Sequence, residues 1–84
     1  MNRNQIIEIF NEIADLLELL NEKPFRIRAY RNAARVLENL SESLEKLIEE
    51  KNLEELPGIG KDLAEKITTL FKKGKSPFFE ELKK

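Results

Sequence analysis

The strongest constraint on this 84-residue chain is the spacing of its apolar residues. They recur every three or four positions in several separate stretches and never alternate with period two, which is the signature of helices and not of strands. The first stretch, residues 4–20, carries Ile6, Ile7, Phe10, Ile13, Ala14, Leu17 and Leu20 on one stripe. Asn21-Glu22-Lys23-Pro24 ends it, because the residue before a proline avoids helical geometry. Pro24 then suits the opening of a second helix running to about Leu40, with Ala29, Tyr30, Ala33, Leu37 and Leu40 inward. Ser41 or Ser43 caps a short third helix through Leu44, Leu47 and Ile48, and Asn52 caps one more turn, Leu53 to Leu56. A fourth helix from about Lys61 to Lys73 buries Leu63, Ala64, Ile67, Leu70 and Phe71 and stops at Gly74. Ser76-Pro77 starts a further turn through Phe78, Phe79 and Leu82. The expected fold is therefore all-α: one domain over residues 1–84 with four main helices in two antiparallel pairs, plus a truncated C-terminal turn that looks cut from a longer chain.

Composition removes several kinds of chemistry. Cysteine and histidine are both absent, so there is no disulfide framework, no thiolate metal site and no imidazole base. No apolar run approaches the roughly 20 residues of a membrane span, and Met1 leads directly into a charged amphipathic pattern without a signal peptide. An intracellular, cytoplasmic, monomeric protein that needs no cofactor is expected.

The formal net charge of −1 conceals a strong alternation. Residues 1–22 hold Arg3 against five acids, while residues 23–36 hold Lys23, Arg26, Arg28, Arg31 and Arg35 with no acid. Residues 37–55 are acidic again, and residues 56–75 set five lysines against Asp62 and Glu65. Such blocks suit a molecule with a basic side for a polyanion and an acidic side. On the second helix Arg28, Arg31 and Arg35 share the face opposite the apolar stripe, and Arg26 lies in the first turn on the stripe side.

Leu56-Pro57-Gly58-Ile59-Gly60-Lys61 is the chemically pointed stretch, within a helix-hairpin-helix expected at about residues 53–73. Two glycines one residue apart, after a proline and before an amphipathic run, make a tight turn opening a helix. The first N–H groups of that helix have no carbonyl partners, and a phosphate could reach them past the bare glycines at the positive end of the helix dipole. An ordinary glycine turn is the alternative reading. Lys66 lies at the edge of the core stripe, where partial desolvation and the nearby Lys61 favour a neutral amine for Schiff-base chemistry, while Glu65 opposes it. A snorkelling surface lysine fits the same position. Tyr30 is either core packing with its hydroxyl at the surface or a donor to a bound phosphate. Phe25 is either a stacking surface for a base or a hydrophobic staple at the helix start.

Pro24-Phe25-Arg26-Ile27-Arg28-Ala29-Tyr30-Arg31-Asn32-Ala33-Ala34 and Leu56-Pro57-Gly58-Ile59-Gly60, followed by Ala64-Glu65-Lys66-Ile67, together resemble one family. It is the N-terminal domain of family X DNA polymerases, the group of DNA polymerase beta and its bacterial and archaeal relatives. The resemblance covers essentially the whole chain and excludes polymerase activity from it, because no palm or fingers domain is present. It implies binding of gapped or nicked DNA at a 5′-phosphate, as in base excision repair. Gly58, Ile59, Gly60, Lys61, Arg26, Tyr30, Phe25, Arg28, Arg31 and Lys75 would form the binding surface. It further implies a 5′-deoxyribose-phosphate lyase using Lys66, and a Na+ or K+ ion on the carbonyls of Glu54, Leu56 and Ile59. This chain departs from DNA polymerase beta in three places. Phe25 stands for a base-stacking histidine, and two phosphate-pocket lysines fall on Asp62 and Phe78. Those changes weaken a pocket for a dianionic phosphate, with Lys61 and Lys75 near enough to compensate in part. A protein-interaction module or a designed scaffold is the competing reading, favoured by the acidic segments 1–22 and 37–55.

Overall fold

The computed structural model describes residues 1–83. The helices are α1 (Arg3–Leu19), α2 (Pro24–Glu38), α3 (Leu44–Glu49), α4 (Lys61–Lys73) and α5 (Pro77–Leu82), with a 3-10 turn at Leu53–Glu55. No strand occurs among the described residues, and the all-α expectation is borne out.

Each helix starts and stops for a local reason. Asn2 and Gln5 form a reciprocal capping box on α1, the Asn2 side chain taking the Gln5 N–H and Gln5 Oε1 taking the Asn2 N–H, both at 2.9 Å. At the other end Asn21 turns left-handed (φ 62°), and the N–H groups of Asn21 and Glu22 return to the carbonyls of Glu18 and Leu17. This is a Schellman closure, and it corrects the placing of Leu20 in the core. The chain turns away before Leu20 completes the stripe, leaving that side chain 57% exposed. Lys23 is extended ahead of Pro24, as the proline demands. Of the two serine caps considered, Ser43 takes the position at α3, accepting from the Lys46 N–H. Asn52 does not cap the next turn; its carboxamide reaches Glu50 instead, and that turn winds as 3-10. Gly74 ends α4 at φ 72°, as its position predicts.

Antiparallel packing of α1 on α2 is the main contact of the fold, and α1 also touches α4 and α5. The register is visible in two polar ties. Arg3, at the start of α1, donates to the carbonyl of Leu40 beyond the end of α2, and Arg31 in α2 donates to Asp15 and Glu18 near the end of α1. Ile6, Phe10, Ile13 and Leu17 of α1 meet Leu37 of α2 and Ile67 and Leu70 of α4 in one fully buried cluster. The expected C-terminal turn is a packed helix: Phe79 is buried, and the buried Ser76 hydroxyl caps its N–H. Lys84 lies outside the described residues.

Candidate nucleic-acid interface

Leu56-Pro57-Gly58-Ile59 forms a four-residue turn closed by the Ile59 N–H donating to the Leu56 carbonyl at 3.1 Å. Proline second and Gly58 third, at φ 78°, is the type II arrangement, whose third residue needs a positive φ. Ile59 is only 3% exposed and anchors the turn in the core. Gly60 is extended (φ −85°, ψ −178°) and sits at the start of α4 without a side-chain cap, whereas Asn2, Ser43 and Ser76 cap α1, α3 and α5. The first amide of α4 to find a carbonyl is Ala64, bonded to Gly60 at 2.9 Å. Among the described residues the N–H groups of exposed Gly58, Gly60, Lys61 and Asp62 have no acceptor, so they open to solvent at the positive end of the helix.

The two glycines do different work. A side chain on Gly60 would meet open space, but one on Gly58 would collide with the carboxamide of Asn32. Asn32 belongs to α2, so this contact brings the basic helix against the hairpin. Sequence reasoning missed it. The only signal was a polar residue among arginines, and nothing local ties it to a glycine 26 positions away.

The arginines are not a single free face. Arg31 is paired, donating to Asp15 and Glu18 at 2.8 Å each, which corrects its grouping with Arg28 and Arg35 as a solvated stripe. Arg26 pairs with Glu22 one turn before it and lies 6.0 Å from the centre of the Phe78 ring. A phosphate would have to displace Glu22 to reach it. Arg28, Arg35, Lys61 and Lys75 are exposed, and none of them has a carboxylate partner among the described residues. Phe25 is 60% exposed and therefore does not act as a buried staple; its ring is open to a stacking partner.

Lys66 lines a cleft of about 340 Å³ between α4 and α5, together with Asp62, Lys73 and Phe78. Its side chain is 19% exposed. The Nζ donates to both carboxylate oxygens of Asp62, at 2.8 and 2.9 Å, and lies 4.9 Å from the centre of the Phe78 ring. Sequence reasoning named Glu65 as the opposing carboxylate and Lys61 as a nearby positive charge. The helix instead brings Asp62, four residues earlier, onto Lys66. Phe78 stacks on Tyr30 (6.0 Å, 9° between planes), and Tyr30 packs edge-on against Phe10 at 5.3 Å. The phenol oxygen has no hydrogen-bond partner, yet no side-chain polar atom among the described residues is both buried and unpartnered. It therefore reaches the surface, as the packing reading expected. Burial first, and the Asp62 carboxylate second, push the Tyr30 phenol up to about 12, with Arg26 pulling the other way. A second, larger groove of about 520 Å³ lies across α4, with Ile48, Leu53 and Ala64 among its lining and Lys51, Lys61 and Lys72 around it. Sequence reasoning did not anticipate it.

With this geometry in view, the chain matches the helix-hairpin-helix domain family over residues 1–76. It belongs to that family. Across all 84 residues it is also 34% identical to the DNA polymerase/3′-5′ exonuclease PolX of Bacillus subtilis (strain 168), and it spans 14% of that protein's length. The likeness carried by the two sequence motifs is thereby borne out. The 3-10 turn, the type II turn and α4 follow one another within the matched residues.

Two outcomes follow from the hairpin and the ring stack. Gly58→Ala should cost about 1–2 kcal/mol for the positive φ alone, and Gly60→Ala about 0.5 kcal/mol. Urea unfolding of both variants measures the difference, and equal losses would refute the assignment of roles. Tyr30 is the only tyrosine and there is no tryptophan, so ultraviolet titration reads it cleanly. The folded protein holds the phenol proton to about 12 against an ordinary value of 10.0. That stabilisation is complete below pH 10.0 and is lost as pH rises through about 12.

Proposed function

We propose that this domain binds DNA without sequence preference, gripping the sugar-phosphate backbone at the 5′-phosphate end of a gap or nick in DNA repair. The observation that carries the reading is the open set of amides at Gly58, Gly60, Lys61 and Asp62, held beside a basic helix by the Asn32 contact. Neutral N–H donors at a helix start suit phosphate oxygens. Arg28, Lys61 and Lys75 add positive charge without a carboxylate to displace, and Phe25 offers a ring to an unpaired base. The similarity to a DNA polymerase/exonuclease supports a DNA partner in the same sense. The carbonyls of Glu54 and Ile59 accept no hydrogen bond among the described residues, and Leu56 accepts one from Ile59. Those oxygens would suit a Na+ or K+ ion, which would offset charge between hairpin and phosphate.

Fluorescence anisotropy with labelled duplexes tests the reading. A gapped duplex with a 5′-phosphate should bind more tightly than one with a 5′-hydroxyl or than intact duplex. Neutralising about four phosphates should cost on the order of 100-fold in affinity between 50 and 200 mM salt. A titration that is flat for every duplex would discard the DNA reading and leave the acidic faces to a protein partner.

A lyase activity is the second reading, favoured by the position of Lys66 on the wall of a cleft beside Phe78 and Tyr30. The Lys66 amine would attack C1′ of the ring-opened abasic sugar and lose water to give an imine. Removal of a C2′ proton would then expel the 3′-phosphate, and hydrolysis would free the lysine. Borohydride with a pre-incised abasic duplex should trap a covalent adduct that Lys66→Ala abolishes. An undiminished adduct in that variant would reject Lys66, and none in the wild type would reject the activity.

A further inference from the structure

We propose that Asp62 sets the selectivity of this site for a terminal phosphate. It neutralises Lys66 and places a carboxylate in the first turn of α4, so that a phosphate monoester gains less over an uncharged end than the hairpin amides alone would give. The inference rests on the reading of the hairpin as a 5′-end site and concerns which end chemistry that site prefers.

Three observations meet at this side chain. Asp62 is the second residue of α4, among the amides that have no acceptor, and its side chain is 79% exposed. Both of its oxygens accept from Lys66 Nζ, and the Lys66 side chain is largely covered and pinned over Phe78. Its charge also acts on Tyr30, whose phenol it helps to push up. The remaining charged residues of the cleft are Glu65, exposed on the same helix, and Lys73. Two carboxylates therefore face two ammonium groups, and the cleft offers no net attraction to an anion.

The consequence differs with the kind of end presented. A phosphate monoester carries about −1.5 to −2 at pH 7, whereas an internal phosphodiester carries one charge and a hydroxyl end none. A fixed carboxylate at the helix start penalises these in proportion to charge, so the terminal phosphate suffers most. Removing the charge has a double effect. The repulsion goes, and Lys66 is left with a free ammonium at the cleft wall.

Affinities of the 84-residue chain for a gapped duplex ending in 5′-phosphate or 5′-hydroxyl test this directly. In Asp62→Asn the phosphate-to-hydroxyl affinity ratio should rise about three- to tenfold over wild type. Glu12→Gln removes the same charge from an exposed position on α1 and should leave the ratio unchanged. Adding Lys66→Met to Asp62→Asn should remove much of the gain, because the released ammonium is then absent. Asp62→Ser, which keeps a good helix-start residue, repeats the test should the asparagine variant unfold. A wild-type preference for phosphate that neither Asp62 variant alters would overturn this proposal and leave the 5′-end reading standing. No preference in wild type or in any variant would overturn both.

Discussion

A chain of 84 residues without cysteine or histidine has no disulfide and no imidazole-held metal to staple it, so burial of one helix stripe has to organise everything else. That stripe is Ile6, Phe10, Ile13 and Leu17 on α1. Helices α2, α4 and α5 all pack against α1. The functional surface inherits its geometry from this arrangement. Phe10 positions Tyr30, Tyr30 positions Phe78, and Phe78 forms the wall on which Lys66 rests. Ile59, buried in the same core, fixes the hairpin from below. Movement of α1 would therefore reach both the cleft and the amides, although α1 itself carries none of the residues proposed to touch DNA.

The alternating charge blocks behave differently in three dimensions from how they read in one. The acidic first segment and the basic second segment fold onto each other as α1 and α2, and part of the positive charge is spent inside that pair. Arg31 is taken by Asp15 and Glu18, and Arg26 by Glu22 in the connecting loop. Pairs this exposed add little stability, in the range of 0–1 kcal/mol each at about the median, but they lower the field the arginines present to a polyanion. Arg28, Arg35, Lys61 and Lys75 stay exposed without a carboxylate partner among the described residues, and Lys61 also lines the groove across α4. Exposed cations of this kind suit backbone contact, and the open amides of the hairpin suit a phosphate oxygen.

The helices, the stop at Gly74 and the hairpin itself were legible in the sequence because each depends on neighbours within about one turn. Helix periodicity, a left-handed glycine and a Pro-Gly turn are local facts. The errors divide by distance. Leu20 was misplaced by a single residue, because the Schellman closure acts before the proline does. The Asp62–Lys66 pair was within reach, since an acid four residues before a lysine is a favourable helix pairing. Comparing Lys66 only with its sequence neighbour Glu65 missed it. The partners of Arg31, the stack of Phe78 on Tyr30 and the contact of Asn32 with Gly58 were not legible, because each joins elements whose relative placement is set by core packing.

Binding and chemistry in this domain therefore rest on unequal foundations. The amides at Gly58 and Gly60 are backbone groups, fixed by a turn whose shape depends on one positive φ and one buried isoleucine, and no change of surface side chain removes them. Lys66 is held by what surrounds it. Its Nζ donates to both carboxylate oxygens of Asp62 and lies over the Phe78 ring, so both contacts hold the amine in place. An entering sugar phosphate would have to draw Lys66 away from Asp62 before the amine could attack. A site arranged in this way would retain a DNA end through its amides even with Lys66 still paired to Asp62. The grip and the catalysis that the family resemblance implies together would rest on different groups in this chain, the hairpin amides for the one and Lys66 for the other.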